Sequence, residues 1–169
     1  MIFLEGETMK VKQLYAKAKQ LQKTIVFPEA GFSARTIEAV KYLQKKSLVK
    51  VILIGDESAL ALRDKELVNF QIINPKTFQG RSGLVKLLYQ KRKEKGMTME
   101  EADRLSLDPY YFATLLVDSG MADGMVAGAE ASTANTVRPA LQIIKAKKKG
   151  GMVSSCFIMF GDNKFLKDK

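Results

Sequence analysis

The chain has 169 residues, no histidine, a single cysteine and a formal net charge of +10. The missing histidine excludes Ser-His-Asp and Cys-His catalysis and His-ligated metal sites within the chain, and one cysteine excludes an internal disulfide. With 46% hydrophobic and 27% charged residues, the composition is that of a globular protein. The predominantly apolar stretches, such as 49–54, are strand-sized and far short of a membrane span.

Taken in order, residues 1–8 read as an N-terminal tail ahead of Met9-Lys10, an alternative start. They are too short and too acidic for a signal peptide. Residues 10–23 carry Val11, Leu14, Tyr15, Ala18 and Leu21 at helical spacing. Residues 24–28 predict a short buried strand ended by Pro28. A helix follows over 34–47, then a strand over 49–54 closed by Gly55-Asp56. A short helix at 58–63 and a strand at 70–73 come next. A helix over 82–95 is stopped by Gly96, and Thr98 with Glu101 fits a capping box. Asp108-Pro109 opens another helix, which ends near Gly120. Residues 122–129 predict a strand edged with glycines, followed by a helix from 137 to 144 with Pro139 in its first turn. Gly150-Gly151 forms a hinge before a last strand, 153–160. Its Cys156 reads as a small buried hydrophobe rather than a reactive thiol.

Strands separated by helices, each continuously apolar, predict a three-layer α/β/α domain with a mostly parallel sheet. The positive charge points to an anionic partner, either a phosphate-bearing small molecule or nucleic acid. Most lysines fall on polar helix faces. The denser groups, Lys91-Arg92-Lys93 and Lys145 with Lys147–Lys149, lack the interleaved aromatics of a single-strand binding platform. Neither nucleic acid nor membrane is expected as a partner, no metal site is expected, and a cytoplasmic location is the default.

The segment 127–139 is the strongest functional candidate. A strand runs into a loop of glycine and hydroxyl residues and then into a helix start, whose unpaired N–H groups favour phosphate or carboxylate. Gly128 permits close backbone approach, Ser132 and Thr133 offer hydroxyl donors, and Arg138 can fork onto an oxyanion. Ordinary capping by Ser132, Thr133 or Thr136 explains the same residues equally well.

The stretches Ala122-Asp-Gly-Met-Val-Ala-Gly-Ala129, Ser132-Thr133 and Thr136-Val-Arg-Pro-Ala-Leu-Gln-Ile-Ile-Lys145 resemble the phosphate acetyltransferase family. Phe27-Pro-Glu29 with Arg35 and Ala39, Val51–Gly55, Arg92–Gly96, Asp108–Phe112 and Ser154–Met159 follow in family order. The resemblance implies acetyl transfer between acetyl phosphate and coenzyme A, with coenzyme A a substrate and no permanently bound cofactor. It implies that Arg138 binds the anionic substrates, that Arg92 holds coenzyme A phosphates, and that Ser132 and Thr133 belong to the acetyl phosphate loop. It also implies two α/β domains, the first here at 9–149 and the second only begun at 150–169. On that reading the catalytic aspartate, serine and arginine belong to a carboxyl-terminal half beyond this chain. Turnover would then need that half, and the partner would be a homodimer mate or a complementary chain. A remnant that binds coenzyme A and phosphate without catalysis is the alternative. Ala131 stands where the family commonly has histidine, and Asn135 where it has an acid. The loop 29–34 is one residue longer than is common.

Overall fold

The computed structural model describes residues 9–146. The expected tail, the Gly150-Gly151 hinge, the strand 153–160 with Cys156, the lysines at 147–149 and the division near residue 150 all lie outside the described residues.

Four strands form one parallel sheet in the order β3-β2-β1-β4. They are β1 (Thr24–Phe27), β2 (Lys50–Ile54), β3 (Gln71–Ile73) and β4 (Gly124–Met125). Ile25 stands opposite Val51 on one side and Gly124 on the other, while Ile52 faces Gln71. Strand side chains alternate between faces, and both faces are covered. Val26, Ile52, Ile54 and Ile73 join one buried cluster with Leu84, Val85, Leu88, Phe112, Leu115, Leu116 and Ile143. Phe27, Val51 and Leu53 join the other with Val40, Leu60, Leu67 and Phe70. This is the three-layer α/β/α arrangement that the apolar strands predict.

The helices are α1 (Met9–Leu21), α2 (Ala34–Lys45), α3 (Glu57–Arg63), α4 (Arg81–Arg92), α5 (Met99–Leu105), α6 (Pro109–Asp118) and α7 (Thr133–Ile143). Their starts follow local chemistry. Ser33 accepts the Thr36 N–H, Asp56 that of Ala59, Thr98 that of Glu101, and Asp108 those of Tyr110 and Tyr111. Pro109 occupies the first turn of α6, as expected. Helix α4 ends earlier than its pattern suggests. A 3₁₀ turn over Lys93–Lys95 precedes Gly96, whose φ of 84° makes it the left-handed stop.

Two further expectations need correction, and both concern the candidate segment. The strand predicted over 122–129 pairs only at Gly124–Met125. Hydrogen bonds from the Asp123 N–H to the Thr24 carbonyl (2.8 Å) and from the Val126 N–H to the Val26 carbonyl (3.1 Å) flank it. Past residue 127 the backbone N–H groups turn away from β1 toward a side chain. The following helix starts at Thr133 rather than 137, because Ser132 caps it by accepting the Asn135 N–H. Pro139 therefore lies in the helix interior, where it removes the N–H that would reach the Asn135 carbonyl. That carbonyl belongs to an exposed residue, so water can take the missing bond.

Candidate anion-binding site

The loop that leads to α7 is built around a buried carboxylate. Glu29, two residues past the end of β1, is 1% exposed. Its Oε1 accepts hydrogen bonds from the N–H groups of Gly128 (3.1 Å), Glu130 (3.3 Å) and Ala131 (3.1 Å), and from the Tyr110 hydroxyl (2.9 Å). Its Oε2 accepts from Gly128 (3.1 Å) and Ala129 (2.8 Å). Four consecutive N–H groups thus converge on one side chain from roughly a hundred residues away in sequence. Burial by itself would raise the Glu29 pKa. The N–H groups of Ala129, Ala131 and Gly128 and the Tyr110 hydroxyl outweigh it and hold the carboxyl below the ordinary glutamate value. Burial, reinforced by the bond to Glu29, pushes the Tyr110 hydroxyl up, so it stays protonated and donating.

Further contacts tie the same loop to the segment after β1. The Ser33 hydroxyl donates to Glu130 Oε1 at 3.1 Å, and Arg35 pairs with the same carboxylate at 3.2 Å. The Arg35 guanidinium also donates to the Ala129 carbonyl. Gly128 has a φ of 101°, a left-handed conformation that costs a residue with a Cβ. Space is not what demands glycine here, since an added Cβ would meet nothing closer than Thr136 Cγ2 at 3.9 Å.

The predicted site residues fall into distinct places. Gly128 serves the internal carboxylate, so its N–H faces Glu29 and not an open surface. Ser132 is the N-cap of α7, its Oγ accepting from the Asn135 N–H at 3.3 Å. Thr133 and Arg138 come together on one exposed face of α7, in a shallow depression of about 480 Å³ shared with Ala134, Val137, Leu141 and Gln142. Arg138 makes no ion pair among the described residues. Arg92 ends α4, half buried, and its Nε is buried with no hydrogen-bond partner.

Tyr111 links α6 to α7. Its hydroxyl donates to Gln142 Oε1 on α7 at 2.8 Å. Burial raises the Tyr111 pKa, and the Arg138 and Arg92 charges both act on it to oppose that rise. Helices α4, α6 and α7 pack together, which brings these residues into one neighbourhood.

The basic run 91–93 does not act as a unit. Lys91 bonds Asp118 at 2.7 Å and the Ile143 carbonyl at 3.0 Å, joining the ends of α4, α6 and α7. It is a strut in the scaffold, and a lysine beside a helix end suits the partial negative charge there. Sequence reasoning also gave Glu29 no function. The available signal was an acid immediately beyond a buried strand, at the sheet edge where a glycine-hydroxyl loop from another strand also emerges.

Residues 9–167 match the family model described as phosphate acetyl/butaryl transferase. The chain belongs to that family. It is 44% identical over 152 residues to a phosphate acetyltransferase from Helicobacter pylori, covering 88% of this chain and 29% of that one. It is 41% identical over 155 residues to a phosphate acetyltransferase from Acetivibrio thermocellus, covering 90% of this chain and 46% of that one. Among solved structures, a phosphotransacetylase from Streptococcus pyogenes superposes with a TM-score of 0.74 at 35% identity, covering 81% of this chain and 43% of that chain. The chain thus spans less than half the length of these family members. Among the described residues no helix is long and apolar enough to cross a membrane, and no cluster of acidic, cysteine or histidine side chains is arranged to hold a metal.

Proposed function

We propose that this chain serves acetyl transfer between acetyl phosphate and coenzyme A, and that its own contribution is to bind the anionic ends of those substrates. The observation that carries the reading is the pairing of Arg138, exposed and without an ion-pair partner among the described residues, with Arg92, whose buried Nε is unsatisfied. Both act on Tyr111, and the family match runs through both positions. Two permanently charged guanidinium groups suit the phosphate oxygens of coenzyme A and acetyl phosphate. Thr133, beside Arg138 in the same depression, offers a hydroxyl and lies in the first turn of α7, where the helix end favours negative charge. Ser132 keeps its hydroxyl proton free to donate while its oxygen caps the helix.

Acetyl transfer also needs a group that takes the thiol proton of coenzyme A. We assign that step and oxyanion stabilisation to a second α/β domain, with residues 9–149 forming the first and 150–169 opening the second. The coverage of the family relatives, 29% and 46% of their lengths, supports that division. Coenzyme A is then a substrate and not a resident cofactor, the mate is a second copy or a complementary chain, and the cytoplasm is the location.

The test is acetyl-CoA formation from acetyl phosphate and coenzyme A. It uses the chain alone, and the chain mixed with or fused to the remaining portion of the Acetivibrio thermocellus relative. Activity in the complemented form, lost on Arg138→Ala, is the expected result. A folded complemented form without activity would contradict the proposal.

A further inference from the structure

We propose that Glu29 is a positioning residue: an internal carboxylate that occupies the backbone anion nest at 128–131 and thereby sets where Ser132, Thr133 and Arg138 meet substrate. Four successive N–H groups turned toward one point form a concavity suited to an anion. Here that anion is supplied by the protein, fully buried, and further held by the Tyr110 hydroxyl. Ala131, the last residue of the nest, adjoins the cap residue Ser132, so the carboxylate determines the entry of the chain into α7. Arg138 sits in the second turn of that helix. Besides Glu29 the loop is held by the two-residue pairing of β4, by the Ser33 hydroxyl on Glu130, and by the exposed Arg35, which reaches Glu130 and the Ala129 carbonyl; of these groups only the Glu29 carboxylate gathers the four successive N–H groups. The nest is therefore not a free phosphate site, and the substrate-facing surface begins one residue later, at Ser132.

The inference rests on the substrate-binding reading for its functional consequence but not for its structural one, and two measurements separate them. Hydrogen exchange of the amides of Gly128, Ala129, Glu130 and Ala131, followed by NMR in the full chain, reports the nest. Coenzyme A titration reports the surface beyond it. Glu29→Ala should speed exchange at those four amides by about tenfold or more, leave the β2 amides unchanged, and weaken coenzyme A binding by a similar factor. Added formate should enter the vacated nest and restore both, because it returns an anion of the right size to the four N–H groups. Glu29→Gln keeps the volume, loses the charge and leaves no room for formate. It should show the same two losses without rescue, which separates nest filling from a general salt effect and serves if the alanine variant does not fold.

Unchanged exchange at 128–131 in both variants would overturn the proposal. So would released amides with undiminished coenzyme A affinity. If the wild-type chain has no affinity for coenzyme A, the substrate reading falls, and exchange with formate rescue still decides whether Glu29 sets the loop.

Discussion

Two junctions of the same kind emerge at the carboxyl edge of the sheet, and they are held in opposite ways. Between β2 and α3 the link is only Gly55-Asp56, and Asp56 does the work locally. Its Oδ1 accepts the Ala59 N–H at 3.0 Å and its Oδ2 accepts from Asn74 at 3.2 Å. Between β4 and α7 the link runs from 126 to 132. Ser132 caps the helix, but the preceding loop is shaped by Glu29, close to a hundred residues earlier. A glycine with a short polar cap announces both junctions. What distinguishes them is a long-range carboxylate, and the site-bearing junction is the one that depends on it.

The largest expected effect falls on the scaffold that both junctions share. Phe112 is fully buried, packing edge-on against Phe78 at 5.8 Å between ring centres. Phe112→Ala should cost about 3–5 kcal/mol by denaturant unfolding, lowering both junctions together.

Next comes the long-range junction alone. Glu29→Gln should cost about 3 kcal/mol near neutral pH, because buried N–H groups lose a charged acceptor. The pH dependence gives the sign. The folded carboxyl titrates below the unfolded one, so its contribution is complete above the ordinary glutamate value of about 4.3. It disappears as pH falls through the lower folded value. The stability gap between wild type and Glu29→Gln should therefore close in acid, measured as unfolding midpoints across that range. A gap that widens in acid would refute the assignment.

Gly128→Ala should cost about 1–2 kcal/mol through backbone strain at positive φ. Asp56→Ala should cost about 1 kcal/mol, the usual loss of a helix cap. If Asp56→Ala proved as damaging as Glu29→Gln, the contrast between the junctions would collapse.

The same contrast marks what could be read in advance. The parallel three-layer sheet was legible because continuous apolar strands and helical spacing are local patterns. So were the starts of α5 and α6, where Thr98 and Asp108-Pro109 act within three residues of themselves. The length of β4 and the start of α7 were not, because the N–H groups after 127 are claimed by a residue that no local window contains. The part played by Lys91 was not legible for a related reason: its partners Asp118 and Ile143 lie on two other helices. Arg92 is a candidate from the basic run 91–93 and Arg138 from the segment 127–139, and family resemblance adds the role proposed for each. The buried Nε of the first and the exposure of the second then give them physical character that resemblance alone does not.

Calorimetric titration of coenzyme A tests most directly the proposal that Arg138 binds the anionic substrates and Arg92 holds the phosphates of coenzyme A. Relative to the wild-type chain, Arg92→Ala and Arg138→Ala should each weaken binding by about tenfold or more, as expected for loss of a charge-assisted contact. Exposed lysines on α1 such as Lys17, changed to alanine, should leave it unaltered. Equal affinity in wild type and both arginine variants would contradict the account.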